Sequence, residues 1–309
     1  MQARLDERSS GTTAIGIRQA ELVLVPVEVP PPAKQRVIGE LLSVLDDKID
    51  QNRRTNRALE EMASARFRSW FLDFDPVVAK VAGRTPFGMD AATASLFPFS
   101  FEDSSMGFIP RGWTVGKICD IAQNIRRGVR PKDLPPDTPY IGLDHMPRKR
   151  IALEAWGHAS DVGSGKFVFQ RGDILFGKLR PYFHKVGVAP VDGVCSTDVL
   201  VVTPRAPAWF GLVLGHLSSE GFVVSVDAAS SGTRMPRTNW QTMARYEIAI
   251  PPIEVAQALA DENVPLVDGI VAGIHECRTL AALRDTLLPS LLSGESQIRD
   301  DDRAVESVA

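Results

Sequence analysis

Apolar residues between positions 35 and 71 recur at alternating steps of three and four, and no proline interrupts them. This spacing places one apolar stripe along a helix and is typical of a heptad seam. The centre of the stripe is polar, because asparagines occupy two successive seam positions. The predicted seam residues are Leu45, Ile49, Asn52, Asn56 and Leu59. At about 1.5 Å per residue the helix would be roughly 54 Å long, so its stripe needs a partner to cover it.

A second stretch with the same spacing lies at residues 255–292 and is the candidate partner. Its predicted seam residues are Leu266, Ile270 and Leu280. A shift of 221 positions lays Leu45 on Leu266 and also superposes Ser9–Thr12 on Ser230–Thr233. A loop and a long helix that recur at a fixed offset are an architectural signal.

Each copy of the loop is followed by an alternating apolar segment that ends in a proline pair, Pro31-Pro32 or Pro251-Pro252. Such alternation predicts a strand. In the first copy the apolar residues are Leu22, Leu24, Val25, Val27 and Val29. The chain therefore begins with what resembles the closing part of one of its own domains.

The region between the two helices divides into a linker and a domain. Residues 75–106 are rich in Pro, Gly, Ser and Ala and read as a surface linker. From Trp113 onwards short β-type runs alternate with turns, and a helical stretch at about 208–220 interrupts them. This pattern predicts an α/β (α+β) fold with one mixed α/β domain.

Composition and charge narrow the class of protein. No apolar run reaches the length of a membrane helix, so a cytoplasmic location is expected. The three cysteines are far apart, which argues against disulfides and a zinc site. The net charge is −3, but residues 111–252 carry 18 Lys and Arg against 12 Asp and Glu, and the remainder carries 17 against 26. The predicted domain is therefore the basic part of an acidic chain.

No catalytic or metal-binding constellation is evident. "DVGSGKFVF" departs from the phosphate-binding loop, and the five histidines lack paired ligand spacing. Basic residues instead occupy turns, where recognition side chains tend to lie. Arginine can bond guanine while lysine holds phosphates, so these turns are predicted to bind DNA. A solvated basic face is the competing interpretation of any one turn. The candidate DNA-binding residues are Arg126, Arg127, Arg130, Lys178, Arg180, Tyr182, Lys185, Arg234 and Arg237.

Several motifs resemble the specificity subunits of type I restriction-modification systems, the HsdS family. The first helix contains "LDDKI", "NRRTN", "FRSWF" and "DFDPV", which are similar to the family's central conserved helix. "IPRGW" resembles the entry to a target-recognition domain, and "GDILFGKLRPYFHKV" and "SSGT" resemble its later elements. "RTLAALRDTLLPSLLSGE" is similar to the distal conserved helix.

The resemblance implies a non-catalytic DNA-recognition subunit whose two long helices pack as an antiparallel coiled coil. Its partners would be double-stranded DNA, a modification subunit that methylates adenine with S-adenosylmethionine, and a restriction subunit that cleaves DNA with ATP and Mg. No cofactor would be bound by this chain itself, and no metal site is expected. The alternative class is a coiled-coil assembly protein whose middle domain binds protein or RNA.

Members of the family carry two recognition domains, whereas this sequence contains one complete copy. The resemblance therefore implies a half-subunit that pairs with a second copy or another specificity-subunit fragment, or a non-functional gene remnant. The expected organisation is the end of a first recognition domain at 1–33, a central helix at 34–74, a linker at 75–106, a recognition domain at 107–252, a distal helix at 253–293 and a disordered tail at 294–309.

Overall fold

The computed structural model describes residues 19–25, 29–232 and 235–293. The chain divides into two compact units, residues 1–49 with 279–309 and residues 50–278. The α-helices are α1 (Gln19–Leu22), α2 (Pro32–Phe71), α3 (Asp75–Val81), α4 (Ala91–Ser95), α5 (Ile118–Ile121), α6 (Phe210–Leu217), α7 (Glu220–Ala228), α8 (Trp240–Ala244) and α9 (Ile253–Ser293). Single 3-10 turns occur at Pro131–Asp133, Ala159–Asp161, Pro181–Phe183 and Pro207–Trp209.

Within the described residues, the strands belong to the unit 50–278 and form four sheets. They are β1 (Phe101–Ser104), β2 (Gly107–Pro110), β3 (Thr114–Lys117), β4 (Ala122–Ile125), β5 (Gly128–Val129), β6 (Pro139–Ile141), β7 (Gly157–His158), β8 (Lys166–Phe169), β9 (Ile174–Gly177), β10 (Val186–Val188), β11 (Gly193–Cys195), β12 (Val199–Pro204) and β13 (Glu247–Ile250). A four-stranded sheet has the order β10-β9-β12-β4, and a five-stranded sheet has the order β5-β8-β11-β6-β7. Two further pairs are β1-β2 and β13-β3. The predicted mixed α/β fold is confirmed.

The side chains of β9 and β12 separate two hydrophobic cores. Successive residues of a strand point to opposite faces of its sheet. Accordingly Ile174 and Phe176 lie in the larger core, whereas Leu175 lies in the smaller one. Val202 and Val201 divide in the same way along β12. Because both faces are covered, these strands are continuous apolar runs rather than alternating ones.

The C-terminal end of α2 is part of the larger core. Phe67, Trp70 and Phe71 are all buried. The ring of Trp70 lies 5.4 Å from that of Phe97, and the ring of Phe71 lies 5.5 Å from that of Trp113. The "FRSWF" segment thus joins the long helix to the domain through aromatic packing.

Phe67 contacts α6 at a glycine. A Cβ at position 215 would lie 2.1 Å from Cδ2 of Phe67, so only glycine allows the two helices to approach this closely. The ring of the neighbouring His216 meets Phe67 edge-on with centroids 4.9 Å apart. Burial lowers the pKa of His216 to about 3, so its imidazole is neutral at physiological pH and packs as a core aromatic.

Within the unit 50–278, α2 and α9 run antiparallel. The Asn56 side-chain amide donates to the Ile270 carbonyl over 3.3 Å, and Arg66 pairs with Glu262 at 3.0 Å. Increasing numbers along α2 therefore meet decreasing numbers along α9. Of the predicted seam residues in this unit, Asn52, Asn56 and Ile270 are buried, and Leu59 and Leu266 are half-buried.

Asn56 lies against Gly273, which makes the pair a test of the polar seam. A Cβ at position 273 would lie 2.5 Å from the Asn56 side-chain oxygen. We expect Gly273→Ala to lower the free energy of unfolding by about 1–3 kcal/mol through overpacking. In an Asn56→Ala background the same change is expected to be neutral or stabilising by up to about 1 kcal/mol, because alanine favours the helix. Urea denaturation of the four proteins measures this, and equal effects in both backgrounds would contradict the contact.

In the unit 1–49 with 279–309, the described parts of α2 and α9 are joined by an ion pair. An Arg284 guanidinium nitrogen lies 2.7 Å from the Asp46 carboxylate. Ile49 is buried, and Leu45 and Leu280 are half-buried.

The predicted strand at residues 22–29 is wrong in its described part. Gln19–Leu22 is helical, a turn follows, and Leu22 and Leu24 are exposed. The second copy of the pattern does form a strand, β13, which pairs with β3. A strand needs a neighbour for its backbone hydrogen bonds, and β13 has one in the sheet. Val27 and most of the predicted first-domain remnant lie outside the described residues, as does the predicted tail.

Residues 75–106, predicted as a linker, contain regular structure. They include α3, α4 and β1, and β1 pairs with β2. Val77 and Phe97 are buried in the larger core. The abundance of Pro, Gly and Ser in this segment therefore reflects tight turns between short elements rather than an irregular connection.

The helical stretch predicted at 208–220 is two helices, α6 and α7, with a break at Ser218 and Ser219. In the described part of the chain no single helix has the length and apolarity of a membrane span. The helix pair Pro207–Leu217 and Glu220–Ala228 reaches the length and composition of a membrane span only when both are taken together, and the two are bent by 66° at the break between them.

Candidate nucleic-acid interface

Basic side chains follow two strands that end at the same edge of the four-stranded sheet. β12 pairs antiparallel with both neighbours, and its register sets Val199 opposite Gly177 of β9 and Val201 opposite Ile125 of β4. The carboxyl ends of β4 and β9 therefore lie together beside the start of β12. Arg126 and Arg127 follow β4, and Lys178 follows β9. We call this edge of the sheet the basic edge.

The parallel strands β6 and β11 of the five-stranded sheet also end at the basic edge. β11 passes through residues 196–198 directly into β12, and the Ser196 backbone amide donates to the Ile141 carbonyl at the end of β6 over 3.0 Å. The loop after β6 contacts the residue that precedes β10, because Lys185 donates through Nζ to the Leu143 carbonyl. Residues 142–145 therefore belong to the basic edge as well.

The segment 235–238 lies against the loop after β9. The Thr238 amide donates to the Lys178 carbonyl over 3.0 Å, and the Arg180 amide donates to the Pro236 carbonyl over 2.7 Å. Arg237 reaches the Asp198 carboxylate at 3.5 Å. The structure thus brings Lys178, Arg180 and Arg237 together from distant parts of the chain, whereas Arg234 lies outside the described residues.

Two arginines stack on one aromatic ring in the same loop. The guanidinium carbon of Arg148 lies 3.9 Å, and that of Arg180 5.8 Å, from the centre of the Phe183 ring. Arg180 also has a left-handed backbone with φ 51°. Its Nε is buried without a hydrogen-bond partner among the described residues. The neighbouring Tyr182 is half exposed beside this pair, so the turn presents cationic and aromatic faces side by side.

The predicted cations differ in how free their charges are. Arg126 lies over the Phe167 ring at 5.5 Å, and both Arg126 and Arg127 are exposed. Arg130 pairs with Asp133 at 3.0 Å. Lys185 is partly buried, and desolvation, with a smaller contribution from nearby Arg148, lowers its pKa. Its bond to a backbone carbonyl indicates a role in holding the loop.

The "PRKR" turn, another basic cluster of the sequence, is mostly occupied by internal ion pairs. Lys149 lies 3.0 Å from the Glu220 carboxylate. Arg150 lies 2.6 Å from one oxygen of Glu60, whose other oxygen accepts from the Ala152 amide over 2.8 Å. Since Glu60 belongs to α2, Arg150 ties the domain to the long helix.

Polar residues that sequence reasoning missed complete the basic edge. Tyr140, Asp144 and His145 lie at or after the end of β6, and Ser196 and Asp198 lie between β11 and β12. Burial raises the pKa of Tyr140, and the charge of Asp144 adds to this shift, while a hydrogen bond with Ser196 opposes it. Their position after short strands was the available signal, but no charge run marked them.

Within the described residues, no group of three or more His, Cys, Asp or Glu side chains could hold a metal ion. Burial raises the pKa of the Cys195 thiol to about 12, so this buried cysteine is not a nucleophile. The arrangement can bind an anion and offer hydrogen bonds.

No protein-family model matches the chain. It is 24% identical to the type I restriction enzyme HindI specificity subunit of Haemophilus influenzae, over 87% of this chain and 68% of the relative. It is 23% identical to the MjaIX specificity subunit of Methanocaldococcus jannaschii, over 97% of this chain and 67% of the relative. It also spans 56% of the Escherichia coli EcoDI specificity subunit at 26% identity. The chain thus spans about two thirds or less of these relatives.

Among solved structures, a type I restriction-modification S subunit from M. genitalium matches 96% of this chain and 70% of its own, with a TM-score of 0.50 and 15% identity. This likeness concerns the fold. The resemblance to specificity subunits predicted from the sequence is confirmed by these relatives. Specificity subunits are a non-catalytic class, which agrees with the non-enzymatic role predicted from the sequence. Over most of its length the chain is therefore similar to the specificity subunits of type I restriction enzymes.

Proposed function

We propose that this chain recognises DNA sequence for a type I restriction-modification system. In this proposal residues 107–252 contact double-stranded DNA through the basic edge. The observation that carries it is the convergence of Arg126, Arg127 and Lys178 at one end of two sheets. None of these three has an ion-pair partner among the described residues, so their charges remain available for phosphates.

The long helices serve as an antiparallel spacer and bind the modification subunit. The contacts of Glu60 with Arg150 and of Phe67 with Gly215 fix the recognition domain rigidly to α2. A rigid connection transmits the position of the DNA to a subunit docked on the helices. S-adenosylmethionine, ATP and Mg then act in the modification and restriction subunits, in the cytoplasm, and this chain supplies the sequence preference.

The test is to map methylated adenines in DNA from cells that contain the chain and its modification subunit, with a deletion of this chain as the control. The expected result is a defined methylated sequence that disappears in the deletion strain. Binding of a duplex with that sequence by the purified complex, in preference to a scrambled duplex, is expected to agree. Sequence-independent binding, or binding of RNA or protein only, would favour the coiled-coil assembly protein instead.

Pairing of two copies of this chain would give a complex with two copies of the recognition domain at residues 107–252. Two-fold protein symmetry imposes two-fold symmetry on a DNA site, so the methylated sequence is then expected to be a pair of identical inverted half-sites. Unlike half-sites would indicate pairing with another specificity-subunit fragment.

A further inference from the structure

Asp144 is an exposed carboxylate in the middle of the basic edge. It lies in the loop after β6, and its side chain is 78% exposed. The charge of Asp144 raises the pKa of Tyr140, and it opposes the lowering of the Lys185 pKa by burial. Yet among the described residues no Lys or Arg nitrogen lies within 4.0 Å of the Asp144 carboxylate, and the His145 Nε2 atom lies 3.7 Å from it.

A short turn places the Asp144 carboxylate beside Gly142. The Gly142 amide donates to His145 Nδ1 over 2.9 Å, so the neutral imidazole carries its proton on Nε2, the nitrogen that faces Asp144. A Cβ at position 142 would lie 2.4 Å from Oδ1 of Asp144 and 2.8 Å from the Tyr140 hydroxyl. Glycine at this position leaves the space that the carboxylate occupies beside Tyr140.

A carboxylate in this place is unfavourable for phosphate binding, because it repels the DNA backbone. Asp198, by comparison, is 27% exposed and lies 3.5 Å from Arg237, so it serves to position that cation. Asp144 has no such task. What its free oxygens can do in a DNA groove is accept a hydrogen bond from an exocyclic amino group, which in the major groove belongs to cytosine or adenine.

Resting on the proposed function, we propose that Asp144 is a specificity-determining residue that accepts a hydrogen bond from a cytosine or adenine amino group in the major groove. The neighbouring cations hold phosphates and orient the duplex. Asp144 then distinguishes one base pair of the half-site, and Gly142, Tyr140 and His145 set the direction of its carboxylate.

The experiment uses the complex of this chain with the modification subunit and duplexes in which each base pair of the mapped methylated sequence is replaced in turn. For Asp144→Ala we expect the preference at one base pair to fall about ten-fold or more, with binding of scrambled DNA unchanged or tighter because a negative charge is removed. Whether that pair is C·G or A·T identifies the base. Gly142→Ala, which keeps the charge but displaces the carboxylate, is expected to reduce the preference at the same base pair.

Asp103→Ala is the matched control, since Asp103 is an exposed aspartate of strand β1. It is expected to leave every base preference unchanged. Two results with a discriminating wild-type complex would refute the role of Asp144 while the proposed function stands. In the first, Asp144→Ala discriminates base pairs as well as the wild type does. In the second, Asp144→Ala binds all sequences more weakly to the same extent. If the wild-type complex shows no sequence preference, the proposed function fails and the role of Asp144 with it.

Discussion

Replacing both Lys178 and Arg127 with glutamine is expected to weaken DNA binding by the complex on the order of a hundred-fold at 0.05 M salt. The slope of log affinity against log salt should become shallower by about 1.8, since each phosphate contact contributes about 0.9. Both residues follow strands that end at the basic edge, and neither has an ion-pair partner among the described residues. Their loss should affect cognate and scrambled duplexes equally. Fluorescence anisotropy titrations over a range of salt concentrations measure both quantities.

The matched control is Arg84→Gln, which removes an exposed charge from the segment between α3 and α4. Its affinity and salt slope should remain those of the wild type. An unchanged salt slope in the double variant would mean that the basic edge does not meet the phosphates. If the salt slope of Arg84→Gln became as shallow as that of the double variant, binding would depend on the net charge of the chain rather than on the basic edge.

Phe67→Ala is expected to lower the free energy of unfolding by about 3–5 kcal/mol. Phe67 is 3% exposed and fills the space above Gly215, beside the neutral imidazole of His216. Removing its ring leaves a cavity between α2 and α6 that the helices cannot close without moving. Because domains are stable by only about 5–15 kcal/mol, much of the margin would be lost. Urea denaturation followed by circular dichroism measures the change.

Met62→Ala is the control on the same helix, because Met62 is 50% exposed. It should alter the free energy of unfolding by less than about 0.5 kcal/mol. A loss below about 1 kcal/mol in Phe67→Ala would mean that the end of α2 is not part of the domain core, and the rigid connection invoked for the function would then lack support.

The two long helices could be predicted closely from the chain, because helical periodicity is a local property and the seam repeats many times. The observed bounds, Pro32–Phe71 and Ile253–Ser293, lie within three residues of the predicted helices at 34–74 and 253–293. The strand predicted at residues 22–29 shows the limit of such reasoning. An alternating pattern states which face would be apolar, but the pattern of β13 becomes a strand because β3 lies beside it.

The candidate site was predictable in part. Basic turns were visible as charge runs, yet a run does not reveal which charges are already neutralised. Arg150 is held by Glu60, ninety residues away along the chain, and Lys185 is turned towards a backbone carbonyl. Asp144 had only its position after a short strand as a signal, and a single aspartate in a loop is common.

The sequence by itself determined the helical seams, the alternation of strands in the middle domain, its basic charge and its likeness to specificity subunits, because periodicity, composition and motifs are read along the chain. The tertiary structure decided which strands exist, which cations are free, and that Asp144 stands among them. Those features depend on strand pairing and on ion pairs between residues far apart in sequence, and the energies of such contacts are fixed only once the chain is folded.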